Sequence, residues 1–271
     1  CGESCGERTQ PQSFLKEKNP AARVGKIFGV VSGKGGVGKS MVTSQLAVLL
    51  RRKGYSVGVL DADVTGPSIP KAFGVHARAM ADDRGMLPVE TAGGIQLMSV
   101  NLLLDNETDP VVWRGPVIGG VVTQFWTDVV WDVDYLFVDM PPGTGDIQLS
   151  LSQEVPLTGA VVVTTPQDIA LMDARKGLVM FEKVNVPILG IIENMATHIC
   201  SKCGHEEHIF GEGGAAKMAA QYGVELLGEL PLDINIRLSM DKGEPIVISD
   251  PDSKVAQAYR EIARKLAGCP D

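Results

Sequence analysis

The sequence predicts an α/β protein, a single three-layer domain whose mostly parallel sheet is covered by helices on both faces. Three observations carry that prediction. From about residue 23, short continuous apolar runs alternate with longer amphipathic stretches, the texture of buried parallel strands joined by crossover helices. A glycine-rich segment, Gly33-Lys34-Gly35-Gly36-Val37-Gly38-Lys39-Ser40, falls between the first apolar run and the first helical pattern. The 271 residues, 44% hydrophobic and 21% charged, suffice for one substantial core, and no linker-like stretch divides them.

Residues 1–22 are rich in Gly, Glu, Ser, Gln and Lys and lack apolar periodicity. They read as a flexible N-terminal arm carrying Cys1 and Cys5, with residues 23–271 as the domain. Residues 27–31 form the first strand candidate. Val42, Leu46, Leu49 and Leu50 then recur at helical spacing, and the helix should stop at Gly54. Residues 57–60, 95–100, 135–138, 160–164 and 188–192 are the next strand candidates, with helical patterns between most of them. A last run, 225–230, precedes Pro231.

Charge and cysteine usage exclude several functions. With 25 basic against 33 acidic residues, the net charge is −8, which disfavours general binding to nucleic acid or anionic lipid. No apolar run approaches the roughly 20 residues of a membrane helix, so no integral membrane segment is expected. Five cysteines are too few for a disulfide scaffold of this length and cannot all pair within one chain. The chain does not begin with Met and shows no secretory leader. A trimmed start and a reducing, cytoplasmic setting are therefore expected.

Residues 33–40 fit G-x-x-x-x-G-K-[ST] between a strand and a helix, the context that motif requires. The glycines let backbone N–H groups wrap a diphosphate at a helix N-terminus. Lys39 should reach the β- and γ-phosphates of ATP, and the Ser40 hydroxyl should hold Mg²⁺. Asp61 and Asp63 follow the strand at 57–60, and Asp139 ends the strand at 135–138. Carboxylates at strand C-termini project into the crevice where open α/β sheets bind ligands. Asp139 is the Walker-B-type candidate, with Asp61 beside it at the magnesium, and Asp63 or Asp61 the group to orient attacking water. Taken singly, such aspartates are ordinary caps and turn residues. Gly143 and Gly145 would let the segment after Asp139 move as a switch.

The second lysine of the loop, Lys34, makes residues 33–40 resemble the deviant phosphate loop of the MinD/ParA/nitrogenase-iron-protein class. In that class the extra lysine crosses a dimer interface to the partner's nucleotide. For Lys34 the resemblance implies an ATP-dependent homodimer. It also places Asn194 at the adenine, with Pro231 and Asp233 on the other side of the base.

Cys200-Ser-Lys-Cys203-Gly-His205-Glu-Glu-His208 sets this chain apart from a generic ATPase. Two thiolates on one turn select soft metals. A zinc knuckle with His205 and His208, a redox dithiol, and half of a four-thiolate site completed by a second chain all compete. Residues 33–40, 61–69, Trp113-Arg114-Gly115-Pro116, 139–146, 193–195 and 200–214 together resemble the Mrp/ApbC/Nbp family of P-loop iron–sulfur cluster carriers, from about residue 23 to 267. The resemblance implies that Cys200 and Cys203 of two protomers bridge a labile [4Fe–4S] cluster. That cluster would come from assembly scaffold proteins and pass to apo iron–sulfur clients, with slow ATP hydrolysis as the switch. The histidines then become ordinary hydrogen-bonding residues. Cys1 and Cys5 cannot complete the four-cysteine N-terminal site of some members, and Cys269 matches nothing in the family. Two alternatives stand beside this reading. One is a zinc-stabilised dimeric ATPase without cluster transfer. The other is a MinD/ParA-type membrane or partition ATPase, suggested by Val255, Tyr259, Ile262 and Leu266 as an apolar stripe flanked by basic residues. Such a stripe is more often simply a last helix packed on the sheet.

Overall fold

A computed structural model describes residues 14–64, 66–104, 115–200 and 202–268. Cys1, Cys5, Thr65, Trp113, Arg114, Ser201 and Cys269, all singled out in the sequence, lie outside the described residues. The chain runs β1 (Arg23–Val31), α1 (Lys39–Arg52), β2 (Val57–Asp61), α2 (Ile69–Ala72), β3 (Met80–Asp82), β4 (Gly85–Leu87), β5 (Val89–Glu90) and β6 (Gln96–Met98). It continues through α3 (Gly115–Thr127), β7 (Asp132–Asp139), α4 (Asp146–Glu154), β8 (Gly159–Thr164), α5 (Asp168–Lys183) and β9 (Ile188–Ile199). The last elements are β10 (Glu206–Glu207), α6 (Gly214–Tyr222), β11 (Leu226–Leu232), α7 (Ile234–Asp241), α8 (Ile246–Ser249) and α9 (Lys254–Ala267).

Among the described residues, nine strands form one sheet in the order β10-β9-β8-β1-β7-β2-β6-β5, with β11 also on β9. The pairs from β2 to β9 through β7, β1 and β8 are parallel, and only the edge strands β5 and β10 run antiparallel. The reason is visible in the residues. Every residue of β2 and β8 is buried, so these runs are apolar throughout rather than alternating, as sheets covered on both faces require. One core layer joins α1 and α9 to the sheet through Leu46, Leu50, Val59 and Tyr259. The other joins α3, α4 and α5 through Phe125, Leu151 and Phe181. The predicted α/β three-layer fold is the observed one.

Local details depart from the sequence reading for physical reasons. Lys16 to Ala22 belong to the stretch expected to be flexible, yet they are tied to the domain. The Lys16 N–H donates to the Glu154 carbonyl at 2.9 Å, and the Trp126 indole N–H to the Lys16 carbonyl at 2.9 Å. Asn19 is buried and donates to the carbonyls of Arg84 and Asp128. Polar side chains that satisfy distant carbonyls leave no apolar periodicity to read. The run 95–100 is strand only over Gln96–Met98, then tightens into a 3₁₀ turn at Val100–Leu102. Pro231, expected beyond a strand end, lies inside β11, where the pairing with β9 slips.

The amphipathic C-terminal helix packs inward. Val255, Tyr259 and Ile262 are buried against the sheet and α1, and Leu266 is partly buried against the same core, so the stripe faces inward. No described helix is long and apolar enough to cross one. The Tyr259 hydroxyl is fully buried without a hydrogen-bond partner, and burial pushes its pKa up. Tyr259→Phe should therefore be neutral or stabilise the protein by about 1 kcal/mol, because it removes an unsatisfied buried group. The urea midpoint reads this; a clear loss of stability would mean that the hydroxyl is satisfied in solution.

Candidate functional site

The phosphate loop occupies the gap between the end of β1 and the start of α1. Gly36 and Gly38 hold φ of 82° and 85°, the left-handed region that glycine adopts without strain. A Cβ on Gly38 would also lie 2.3 Å from the Asn194 amide nitrogen. Gly33 has a different reason: a Cβ there would sit 2.3 Å from the Asp173 backbone, so glycine lets the loop abut α5. The loop lines a cavity of about 250 Å³ together with Ser32, Asp63, Ser68 and Pro142.

Next to the lining residues Lys39 and Ser40, β2 and β7 pair with Asp61 opposite Asp139, so strand register alone brings the two carboxylates level. Asp139 is fully buried and its Oδ1 lies 2.9 Å from the buried Lys39 ammonium. It also accepts from the Ser40 hydroxyl at 2.5 Å and the Thr43 hydroxyl at 2.8 Å. Thr43 escaped the sequence reading because it lies inside the helical stripe; its position one turn beyond Lys39 was the available signal. Asp61 is buried too and accepts from the Ser99 hydroxyl and the N–H groups of Ile69 and Asp63. Burial, then the charge of Asp139, push its pKa up to about 7, although Lys39 pulls the other way.

That shift has a stability consequence in nucleotide-free, magnesium-free protein. Proton retention by folded Asp61 stabilises the protein fully below the ordinary value of 3.8, and the benefit is lost as pH rises through about 7. Asp61→Asn is expected to flatten the fall in Tm across that window. Scanning calorimetry at several pH values would measure it, and an unchanged slope would assign the proton to another group.

A second cavity of about 380 Å³ adjoins the first, sharing Ser40, Met41 and Ser68 with it. Asn194, Pro231 and Asp233, the three expected base-contacting residues, all line it. Asn194, beyond the expected strand 188–192, lies within the longer β9. Its amide donates to the Val37 carbonyl at 2.8 Å, while its buried Oδ1 has no partner. The Asp233 carboxylate caps α7 by accepting the Asn235 N–H at 2.7 Å. The apolar lining from Met41, Ile236 and Met240 was missed in the sequence. An aspartate followed by a helical pattern was the readable sign that a helix starts there.

Lys34 lies at the other side of the loop and donates to the Gln167 side-chain amide oxygen (Oε1) at 3.2 Å. Gln167 stands immediately before α5, whose Ile169 and Met172 are exposed. Cys200 and Cys203 lie well away in the chain, beyond the far end of β9. The Gly204 N–H bonds to the Cys200 carbonyl at 2.8 Å, and the Cys200 N–H bonds to the His205 carbonyl at 2.9 Å. This makes a tight turn with Cys203 exposed and both thiols free. The N–H groups of Lys202 and Cys203, followed by the Cys203 side chain, draw the Cys200 thiol below its ordinary pKa. The His208 Nδ1–H donates to the Ala196 carbonyl at 2.9 Å, and its Nε2 lies 3.8 Å from a Glu212 carboxylate oxygen. Among the described residues, no three His, Cys, Asp or Glu side chains converge as a metal site.

Comparison with known proteins agrees with this geometry. An iron–sulfur cluster carrier protein of Pseudomonas fragi is 54% identical over 246 residues, covering 89% of this chain and 85% of that protein. The mouse iron–sulfur cluster transfer protein NUBPL is 46% identical over 272 residues, covering 97% and 85%. Among solved structures, a nucleotide-binding protein of Archaeoglobus fulgidus in complex with ADP superposes with a TM-score of 0.75 at 38% identity, covering 87% of this chain and 92% of that one. The ParA profile described as NUBPL iron-transfer P-loop NTPase matches residues 23–267. The chain therefore belongs to the NUBPL iron-transfer family of ParA-type P-loop NTPases.

Proposed function

We propose that this chain is a nucleotide-dependent iron–sulfur cluster carrier that works as a homodimer in the reducing cytoplasm. Two copies hold one [4Fe–4S] cluster between their Cys200/Cys203 pairs, accept it from assembly scaffolds and deliver it to apo-proteins. The observation that carries this reading is the thiolate turn itself: two free cysteines just past a strand end, with no third ligand converging on them among the described residues. A four-thiolate cluster then takes half its ligands from each side of a two-fold axis.

The nucleotide half rests on two features that ATP fits. The unpaired Asn194 Oδ1 is an acceptor placed for an exocyclic amino group of a base. The loop turns through Gly36 and Gly38 at positive φ and lines the cavity of about 250 Å³ at the start of α1. Lys39 would leave Asp139 for the phosphates, and Asp63 would orient the attacking water at the cavity wall. A bound Mg²⁺ fits the hard oxygen set of Ser40, Asp139 and Asp61; it would neutralise phosphate charge. Lys34 would exchange Gln167 for the partner's nucleotide, and the exposed Ile169 and Met172 beside it suit a protein contact. Hydrolysis serves as a slow switch rather than a metabolic turnover.

Anaerobic reconstitution tests the reading. Absorption and EPR spectra should report about one [4Fe–4S] per dimer with four cysteine ligands, and light scattering should give the mass of two chains. Stoichiometric zinc without iron in protein purified without air would replace it with the zinc-stabilised reading.

A further inference from the structure

β8 ends opposite Glu193, whereas β9 runs on to Ile199 paired with β11 as far as His198↔Leu232 and with β10 at its tip. Both strands of this extension are irregular at the same level. Met195, a non-glycine residue, holds φ at 58° within β9. Opposite it, β11 slips register between Leu230 and Leu232, around Pro231, which has no N–H for the ladder. Met195, Pro231 and Leu232 all line the base cavity. The cavity thus sits in the bend where the extension leaves the main sheet.

Hydrogen bonds on either side of the bend reach the stretch that returns from the cysteine turn. The residue before Asn194, Glu193, is buried and accepts the Ala215 N–H at 2.6 Å, at the start of α6. The residue after Met195, Ala196, accepts from His208 at 2.9 Å. A carbonyl oxygen only accepts, so Nδ1 carries the hydrogen. His208 closes the loop that the Cys200 N–H and His205 carbonyl begin.

We propose that His208 is a positioning residue that ties the Cys200/Cys203 turn to the bend at Met195, so that a nucleotide base in the cavity sets the exposure of both thiols. The idea rests on the nucleotide half of the proposed function and needs no cluster. A base seated between Met195 and Pro231 restrains the bend, and the His208 strut passes that restraint to the turn.

The test uses the full chain, reduced and free of cluster, with ADP as the probe, so that ATP-driven dimer formation does not itself shield the thiols. Iodoacetamide alkylation of Cys200 and Cys203 is followed by mass spectrometry. ADP should slow it at least about fivefold, the lower end of ordinary coupling between sites. In His208→Ala the two rates should become equal while ADP affinity by calorimetry is unchanged. His208→Asn, whose amide N–H replaces Nδ1–H, should recover most of the protection. Three results overturn the proposal: no protection in unaltered protein that binds ADP, protection retained in His208→Ala, or loss of ADP affinity in either variant. Failure of unaltered protein to bind ADP would overturn the nucleotide reading along with it.

Discussion

Replacing both Cys200 and Cys203 with alanine should abolish cluster assembly and leave nucleotide binding intact. The two thiols are free and lie on a turn whose backbone N–H groups favour the Cys200 thiolate, the form that binds iron. No further ligand from the described part of the same chain converges there. A single replacement should be nearly as damaging, because two-fold symmetry removes two of the four thiolates at once. Iron and sulfide analysis after anaerobic reconstitution should fall from about four of each per dimer to near zero. ADP titration should not change, since both cavities lie at the other end of the β9 extension. Iron retained at full stoichiometry in the double variant would transfer the cluster to other residues and sink the half-site argument.

Lys34→Ala should have the second large effect, on hydrolysis rather than on binding. In the single chain, Lys34 rests on Gln167 and contributes nothing to the cavity lining. In the proposed dimer its catalytic role is to leave Gln167 for the second chain's nucleotide. Loss of a positive group aimed at developing phosphate charge costs about 10²–10³ in rate, so phosphate release should fall by that order. ADP affinity should stay within about twofold, a change of less than 0.5 kcal/mol. Light scattering with a non-hydrolysable ATP analogue should show monomer where the unaltered chain shows dimer. An unchanged hydrolysis rate would return Lys34 to the status of a surface lysine. Lys39 differs in kind: it is buried against Asp139, so its removal would also strand a buried carboxylate and damage the fold.

Much of this architecture was legible because it is encoded in short windows. The phosphate loop, the buried strands and the aspartates ending β2 and β7 each follow from residues adjacent in sequence. Asn194, Pro231 and Asp233 were placed at the base by resemblance, and the structure brings all three to one cavity. What escaped were partnerships across long separations. Asn19 reaches the Arg84 and Asp128 carbonyls, Thr43 reaches Asp139, and Lys34 reaches Gln167. His208 was read as an ordinary hydrogen-bonding residue, and it is one. What the sequence did not show is its acceptor, Ala196, one residue past the positive-φ Met195.

The sequence by itself determined the α/β class, the loop between β1 and α1, and the thiolate pair on one turn. These depend on periodicity and local backbone chemistry, which act over a few residues. Only the tertiary structure decided that Asp61 and Asp139 lie level, that Asn194 props Val37, and that β9 runs from the Asn194 cavity to the cysteines. Those relations depend on lateral strand order and register. Parallel strands are paired through long crossovers, so the neighbour of each strand is chosen by packing of the whole core rather than by the residues next to it.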